Sequence, residues 1–313
     1  MDFFRDIPHI PFMSARRKAA VVSAVLLTIA VSALLIRGLN LGIDFTGGTI
    51  VEVGYPEAVV LDDVRAQLDE SGFGDAVVQT FGTARDVLIR VPPHEELSDA
   101  QVSESVLAAL REQSSGVEMR RVEFVGPQVG EELTNDGGLA LIYAMIGVLI
   151  YVALRFEYRF AVGSVAALLH DLVLVIGFIA LFQIQFDLTV LAALLAVIGY
   201  SLNDTIVVFD RIRENFRRMR KGSREEVVDA SLNQMLSRTL MTSLTTALVL
   251  VALATLGGEL IRGFAVALLV GVVVGTYSSI YVAANTALAL GVSKADLQPV
   301  EKEGADQEEH REP

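Results

Sequence analysis

The residues best placed to do chemistry lie in one run, Gly199–Asn215, and the central one is Asp204. The run starts inside a long apolar segment and ends in a cluster of charges. A carboxylate inside a membrane helix costs about 2.5–3.5 kcal/mol on insertion scales. A partner, a proton or water has to offset that cost, so this acid predicts proton handling. The neighbouring polar residues Asn203, Ser201 and Tyr200 could hydrogen-bond across helices.

Three more ionisable residues, His170, Asp171 and Arg238, fall within predicted membrane-spanning segments. Arg238 and Asp204 are expected at similar depth on antiparallel helices, so the two side chains could face each other. Asp204 is then either a carboxyl that alternates between protonated and paired states or a packing residue neutralised permanently by Arg238. Arg238 could instead extend to the lipid headgroups. His170 and Asp171 point about 100° apart on a helix, so we expect one to face the bundle core and the other a loop or a partner chain.

Composition excludes several classes of protein. The chain has 313 residues, is 52% hydrophobic and has a mean hydropathy of +0.51, which is typical of a membrane protein. It has no cysteine, its four histidines are scattered, and no phosphate-binding loop of the Walker type is present. We therefore predict no metal, no cofactor and no enzymatic chemistry. The net charge of −13 is concentrated in the non-membrane parts, which argues against nucleic acid as a partner.

Six segments are long and apolar enough to cross a bilayer. They are 19–37, 138–154, 160–182, 188–209, 236–256 and 263–290. The first follows Arg16, Arg17 and Lys18 but is not followed by a small-residue cleavage site, so it is interpreted as an uncleaved span. Arginine is abundant in the loops after the second and fourth spans, which predicts that both termini are cytoplasmic. Residues 1–18 and the acidic tail 291–313 are then cytoplasmic, and the tail is expected to be disordered.

The region 38–137 is predicted to be a separate domain on the outer side. Its hydrophobic pattern indicates elements in the order β-α-β-β-α-β, which is typical of a ferredoxin-like fold. The predicted fold class is an α-helical membrane protein of six transmembrane helices, with this small α+β domain between the first and second.

Two smaller features of the membrane part also carry predictions. The segment 210–235 contains a capping box, Ser223 with Glu226, followed by an apolar stripe. It is interpreted as an amphipathic helix on the cytoplasmic membrane surface, with docking of a cytoplasmic partner as the alternative. In the last span, Gly271 and Gly275 form a GxxxG pattern, which indicates that two helices approach closely.

Several blocks in order along the chain resemble the SecF family, membrane subunits of the bacterial protein-export machinery within the resistance-nodulation-division (RND) superfamily. The fourth-span run is one, and His170-Asp171 matches the third-span motif. The other blocks are Leu41–Gly48, which includes Asp44, Phe45, Gly47 and Gly48; Phe124–Gly130, which includes Gly126 and Pro127; Gly257–Ala265, which includes Gly263; and Gly275–Ser279.

The resemblance implies a function beyond what composition gives. Members pair with SecD, associate with the SecYEG channel and YajC, and use the proton motive force to help preproteins leave on the periplasmic side. It implies a proton path through Asp204 and Arg238, with an acid from SecD. His170, Asp171 and Asn203 are further candidates for this path, as polar residues within the predicted spans. It also implies six spans of RND type, a periplasmic outer domain and a place in the lipid of the bacterial inner membrane. The choice between protons and sodium ions stays open.

Two alternatives remain at this point. The chain could be a half-transporter of the same superfamily that exports a small molecule or lipid, although the outer region is small for a substrate pocket. It could also be a purely structural assembly subunit, in which Asp204 and Arg238 form a static clamp. Co-purification with channel components separates export from the first alternative, and proton-dependent activity separates it from the second.

Overall fold

A computed structural model describes residues 8–94, 97–219 and 221–292. Within these ranges, six helical segments are long and apolar enough to cross a membrane. They are α1 (Arg16–Arg37), α5 (Pro127–Arg155), α6 (Tyr158–Phe182), α7 (Leu188–Arg218), α8 (Arg224–Leu256) and a last helix made of α9 (Glu259–Ser278), a π-helical turn (Ser279–Ala283) and α10 (Ala284–Ala289). The predicted fold class is confirmed: the chain is a multi-pass helical membrane protein with a small sheet domain.

The sheet domain follows α1 and has the order predicted from the sequence. Its strands are β2 (Gly48–Gly54), β3 (Val77–Phe81), β4 (Thr83–Val91) and β5 (Glu118–Val125), and its helices are α3 (Leu61–Glu70) and α4 (Asp99–Gln113). The strands are antiparallel in the spatial order β3-β4-β2-β5. Val51 pairs with Ile89 on one side and with Val122 on the other. Val51 and Ile89 are fully buried with Leu68 of α3 and Val106 of α4, so both helices cover the same face of the sheet.

A short joint connects the domain to the membrane helices. It consists of β1 (Asn40–Leu41), which pairs in parallel with β6 (Gln185–Phe186), and the single helical turn α2 (Ile43–Thr46). We call the end of the helical bundle that carries this domain the domain side. The opposite end, where α1 begins and α10 ends, is the terminus side.

The second membrane helix starts earlier than the sequence pattern indicates. Residues up to 137 are predicted to belong to the outer domain, but β5 ends at Val125 and α5 begins at Pro127. Gly126 is the extended N-cap residue and Pro127 occupies the first turn, where a missing N–H costs nothing. The segment 127–137 is therefore continuous with the helix of the second span. Because this segment is polar, the hydropathy pattern does not identify it as part of that helix.

The prediction of a separate surface helix within 210–235 is wrong. Residues up to Arg218 belong to α7, and α8 runs without a break from Arg224 to Leu256. The capping box of Ser223 and Glu226 is present at its start. Val227, Val228 and Leu232 pack into the bundle core rather than onto a lipid surface. No Pro or Gly interrupts this helix, so the amphipathic turns continue directly into the fifth span.

The N-terminal segment lies against the terminus side of α8. Asn233 accepts a hydrogen bond from the N–H of Ile10 (2.9 Å) and donates one to its carbonyl (2.8 Å). The N–H of Met13 donates to Asp229 (2.8 Å), and the side chains of Phe12 and Met13 are buried in the same core. Of the predicted tail 291–313, the part from residue 293 lies outside the described residues.

Candidate functional site

Asp204 and Arg238 lie at the same depth on the antiparallel helices α7 and α8. Asp204 precedes the end of α7 at Arg218 by 14 residues, and Arg238 follows the start of α8 at Arg224 by 14 residues. Asp204 is buried, with 5% of its surface exposed, whereas Arg238 is exposed on the surface of the chain. The charge of Arg238 acts on Asp204, but no ion pair joins them in the described part of the chain. Asp204 and Arg238 therefore interact through their charges at a distance, and not through a direct ion pair.

The carboxylate of Asp204 is also incompletely satisfied. Its Oδ2 atom is buried and has no hydrogen-bond partner among the described residues. A buried polar atom without a partner costs about 1–3 kcal/mol. Such a cost is relieved when the carboxyl binds a proton or when water or another chain supplies a donor.

A second buried acid, Asp171 of α6, is the centre of a hydrogen-bonded cluster. Its Oδ1 lies 2.9 Å from Nδ1 of His170, and its Oδ2 accepts hydrogen bonds from Ser201 of α7 (2.5 Å) and Ser278 of α9 (2.6 Å). Asp171 is 0% exposed and His170 is 5% exposed. We call His170, Asp171, Ser201 and Ser278 the Asp171 cluster. It ties three membrane helices together by one carboxylate.

The expectation that His170 and Asp171 would serve different surroundings is wrong. Both side chains are buried within this chain, because the imidazole bends back toward the neighbouring carboxylate and the last helix covers it. The ring of His170 stacks on Tyr277, with centroids 6.0 Å apart. The hydroxyl of Tyr277 in turn donates to the carbonyl of Ala19 in α1 (2.8 Å) and lies 2.9 Å from Oγ of Ser23.

The two glycines of the GxxxG pattern make this cluster possible. A Cβ atom on Gly271 would overlap Val197 of α7, and one on Gly275 would lie 3.2 Å from Cβ of Ser201. The predicted close approach of two helices is thus confirmed, and it occurs between α9 and α7. Because the backbones come this close, Ser201 and Ser278 both reach Asp171.

Asn203 does not join the Asp171 cluster. It is exposed on the same side of α7 as Gly199, at a spacing of four residues, and Arg238 is exposed on the adjacent α8. The structure therefore divides the predicted residues into two groups: His170 and Asp171 meet inside the bundle, whereas Asn203 and Arg238 lie on its surface. Asp204 lies between these groups, one helical turn beyond Ser201. In the sequence, Tyr277 and Ser278 belong to the Gly275–Ser279 block but have no predicted role, and Ser23 is not predicted at all, because none of the three side chains carries a charge that would mark it.

The remaining motif residues build the joint at the domain side. Oδ2 of Asp44 accepts a hydrogen bond from the N–H of Leu188 at the start of α7 (3.0 Å). Phe45 packs on Phe186, with ring centroids 5.5 Å apart. Gly263 lies against α7, where an added Cβ would be 3.0 Å from Val190. These residues fix the start of the helix that carries Asp204.

Two glycines of the joint are required by conformation. Gly47 and Gly48 have φ angles of +73° and +128°, which side chains rarely adopt. An added Cβ on Gly47 would lie 2.9 Å from Pro127, and one on Gly48 would overlap the carbonyl of Val91. Together with the N-cap Gly126 they bring the start of β2 against the start of α5, so the motif residues act structurally.

No group of three or more His, Cys, Asp or Glu side chains in the described ranges could hold a metal ion. The arrangement consists instead of buried carboxylates, hydroxyls and one imidazole, at the depth of the bilayer. These groups can bind, hold and pass protons.

Comparison with known proteins places the chain among protein-export components. The family described as "Protein export membrane protein SecD/SecF, C-terminal" matches residues 105–293, and the "SecD/SecF GG Motif" matches residues 32–55. A relative from Vibrio alginolyticus, named "Protein translocase subunit SecF", is 52% identical over 96% of each chain. One of the same name from Pseudomonas aeruginosa is 48% identical over 94% of this chain and 95% of its own.

A solved structure agrees with these relatives. A SecDF chain from Thermus, described as a translocon-associated membrane protein, superimposes with a TM-score of 0.80 at 39% identity over 90% of this chain. This chain spans 39% of the length of that SecDF chain. The likeness extends over the sheet domain and the membrane helices.

Proposed function

We propose that this chain, which belongs to the SecF family of protein translocase subunits, couples proton movement through its helices to a late step of preprotein translocation. It does so as an auxiliary subunit of the Sec translocase. The observation that carries the coupling is the buried, unpartnered carboxylate oxygen of Asp204. A carboxyl in this position gains from binding a proton, and loses that gain when a cation approaches. Protonation of Asp204 weakens its attraction to Arg238, which lets α7 and α8 shift and moves the outer domain.

The energy available is sufficient to bias such a motion. One elementary charge that crosses a potential of 100 mV releases about 2.3 kcal/mol. That free energy shifts a two-state equilibrium by roughly fiftyfold. The outer domain therefore rectifies the movement of an emerging polypeptide toward the periplasm and promotes its release. Proton transfer drives a conformational change here, and we assign the chain no covalent or hydrolytic chemistry.

The partner that completes the site is SecD. Arg238 and Asn203 are exposed on the surface of this chain at the depth of the bilayer, where an uncovered guanidinium is costly. The similar SecDF chain is much longer than this one, which supports a second set of helices packed against this face. We propose that SecD covers it and places an acid near Arg238.

Location and further partners follow from this role. The complex lies in the lipid of the bacterial inner membrane with the terminus side in the cytoplasm, which the arginines of the terminus-side loops support. The outer domain then faces the periplasm, and the complex works beside the SecYEG channel and YajC. Protons are the proposed coupling ion; sodium is the alternative, and a carboxylate accepts either.

The alternatives have less support. A half-transporter for a small molecule or lipid disagrees with relatives of nearly full coverage that are named as translocase subunits. A purely structural subunit does not require the unsatisfied oxygen of Asp204, because a static clamp would bring Arg238 into contact with it.

The deciding experiment replaces Asp204 by Asn in the complete translocase, reconstituted in vesicles with an imposed gradient. We expect translocation to become independent of the gradient. The matched control is Asp210→Asn, which removes an acid from the same helix that is half-exposed and paired with Arg155. Gradient-dependent translocation that persists in Asp204→Asn removes this residue from the mechanism. Exchange of a proton gradient for a sodium gradient at constant pH identifies the ion.

A further inference from the structure

A cleft on the domain side separates the outer sheet from the ends of the membrane helices. Its volume is about 390 Å³. One wall is formed by side chains of β3 and β4, and the other by the end of α6, the loop that follows it and the start of α9. Two separate parts of the chain can therefore contact one ligand in this space.

The sheet wall of the cleft is the face opposite to α3 and α4. Val78 and Ile89 pair with each other and are buried beneath these two helices. Successive side chains of a strand point to opposite faces, so Gln79 and Arg90 project from the other face, and both border the cleft. The sheet thus directs a guanidinium group toward the membrane helices.

The bundle wall contributes a second guanidinium group and the start of a helix. Arg262 lies in the first turn of α9 and borders the cleft. Within the described part of the chain, no side chain caps the start of this helix, and uncapped N–H groups at a helix start attract anions. Arg90 and Arg262 come from opposite walls, and arginine binds phosphate through paired N–H donors.

The charges at the cleft favour an anionic ligand. Among the described residues that border it, Asp187 is the one acid. Its Oδ1 accepts hydrogen bonds from the N–H of Val190 (2.9 Å) and the hydroxyl of Thr189 (2.7 Å), so this carboxylate serves as the cap of α7. Arg90 and Arg262 have further interactions within the chain, but each guanidinium group carries five N–H donors. Two guanidinium groups and one carboxylate leave a net positive charge.

The mouth of the cleft lies at the level of the lipid headgroups. Phe182 is the last residue of α6 and Phe178 lies one turn before it, with ring centroids 4.5 Å apart. Both rings border the cleft. Phe182 is 63% exposed and Leu260 of α9 is 57% exposed, so the cleft is continuous with the apolar surface that faces the lipid. A ligand here meets guanidinium groups and apolar side chains together.

We propose that this cleft binds an anionic phospholipid of the domain-side leaflet, with phosphatidylglycerol as its simplest example. The phosphate lies between Arg90 and Arg262, and the acyl chains extend past Phe178 and Phe182 into the bilayer. Basic pockets between membrane helices recognise anionic headgroups in this way. The bound phosphate links β4 of the outer domain to α9 of the membrane part. This site does not depend on the proposed proton coupling.

Two sources could supply a phosphate to this cleft. A free inorganic phosphate would contact the guanidinium groups and leave the apolar wall unused, whereas a phospholipid uses both. The mouth opens beside the lipid-facing surface, where phospholipid is concentrated. The experiment below includes an arm that separates the two sources.

Lipid binding can be measured by fluorescence because the chain has no tryptophan. Phe182→Trp places a single reporter at the mouth of the cleft. Leu35→Trp is the matched control, since Leu35 is 81% exposed and lies two residues before the domain-side end of α1. The full-length variants are reconstituted in phosphatidylcholine vesicles that contain increasing fractions of phosphatidylglycerol brominated on its acyl chains, which quenches nearby tryptophan.

The reporter at the cleft should sense the anionic lipid selectively. We expect half-maximal quenching of Phe182→Trp at a fraction of brominated phosphatidylglycerol at least about tenfold lower than for Leu35→Trp, because a charge-assisted hydrogen bond to phosphate is worth about a factor of ten. Brominated phosphatidylcholine should quench both variants alike. An excess of inorganic phosphate should leave the quenching of Phe182→Trp unchanged.

The two arginines are tested in the background of Phe182→Trp. Arg90→Gln and Arg262→Gln should each raise the required fraction of phosphatidylglycerol by about tenfold. Arg85→Gln is the control, because Arg85 is exposed at the other end of the same strand as Arg90, and it should have no effect. The two arginines lie in different parts of the chain, so a folding defect in one variant leaves the other as the test.

Three results would overturn the proposal. Equal quenching of Phe182→Trp by brominated phosphatidylglycerol and phosphatidylcholine would show that the cleft does not select an anion. Loss of quenching on addition of inorganic phosphate would assign the site to a free anion. Loss of quenching when SecD is added, measured against the same complex without the tryptophan, would show that a protein occupies the cleft.

Discussion

Asp204 and Arg238 occupy equal depths on neighbouring antiparallel helices, yet Asp204 is turned into the chain and Arg238 is turned out of it. The two side chains interact through their charges without an ion pair. This arrangement fits a carboxyl whose environment changes when a second protein covers Arg238.

Arg238 is expected to matter for coupling and little for folding. Because its side chain is exposed, Arg238→Met should change the unfolding free energy of the isolated chain by less than about 0.5 kcal/mol. In the complete translocase the same variant should abolish gradient-dependent translocation, and Arg238→Lys should retain part of it because the charge remains. Thermal unfolding of the isolated chain in detergent measures the effect on stability, and translocation into vesicles measures the effect on coupling. A large loss of stability in the isolated chain would show that Arg238 is a structural residue.

Asp171 is expected to be the strongest polar contributor to the stability of the bundle. Asp171→Ala removes the acceptor of three hydrogen bonds and leaves His170, Ser201 and Ser278 without it. We expect a loss of at least about 3 kcal/mol in the unfolding free energy, since each buried donor left unpaired costs about 1–3 kcal/mol. Ser278→Ala, which removes one donor, should cost clearly less. Equal effects of the two variants in denaturant titrations would contradict the central place of Asp171.

The close contact between α9 and α7 predicts a difference between two glycines. Gly271→Ala puts a methyl group into Val197, so α9 has to move away and the hydrogen bond from Ser278 to Asp171 lengthens. Overpacking of this kind costs about 1–3 kcal/mol. Gly147→Ala is the control, because an added Cβ there meets nothing within 4 Å. Unfolding of both variants in the same detergent measures the difference, and equal stability would mean that the two helices separate freely.

The stability of the outer domain is expected to depend on pH in the alkaline range. Burial raises the pKa of Tyr55 to about 12 from 10.0. Since the pKa is higher in the folded domain than in the unfolded chain, the neutral phenol contributes stability that is complete below pH 10.0 and is lost as the pH rises toward about 12. Ultraviolet absorbance of tyrosinate, compared between the native protein and Tyr55→Phe, should show one phenol that ionises late. Ionisation of Tyr55 near its ordinary value would mean that water reaches it.

The sequence by itself determined the elements and the presence of an unusual acid. Local patterns identify the six apolar segments, the alternation of the outer strands and the Ser223 cap, because each of these features depends on neighbours within a few residues. Hydropathy failed at the polar start of α5 and at residues 224–235, because a helix can continue through polar or amphipathic turns when no residue breaks it.

The tertiary structure alone decided which side chains meet. Asp171 is separated from Ser201 by 30 residues and from Ser278 by 107 residues in the chain. Only the packing of α6, α7 and α9 against one another brings the two hydroxyls to its carboxylate. The sequence indicates that a carboxylate at Asp204 is energetically costly inside a membrane helix, but it does not show that one of the two carboxylate oxygens lacks a hydrogen-bond donor. That outcome depends on the rotation of each helix about its axis, which long-range packing sets.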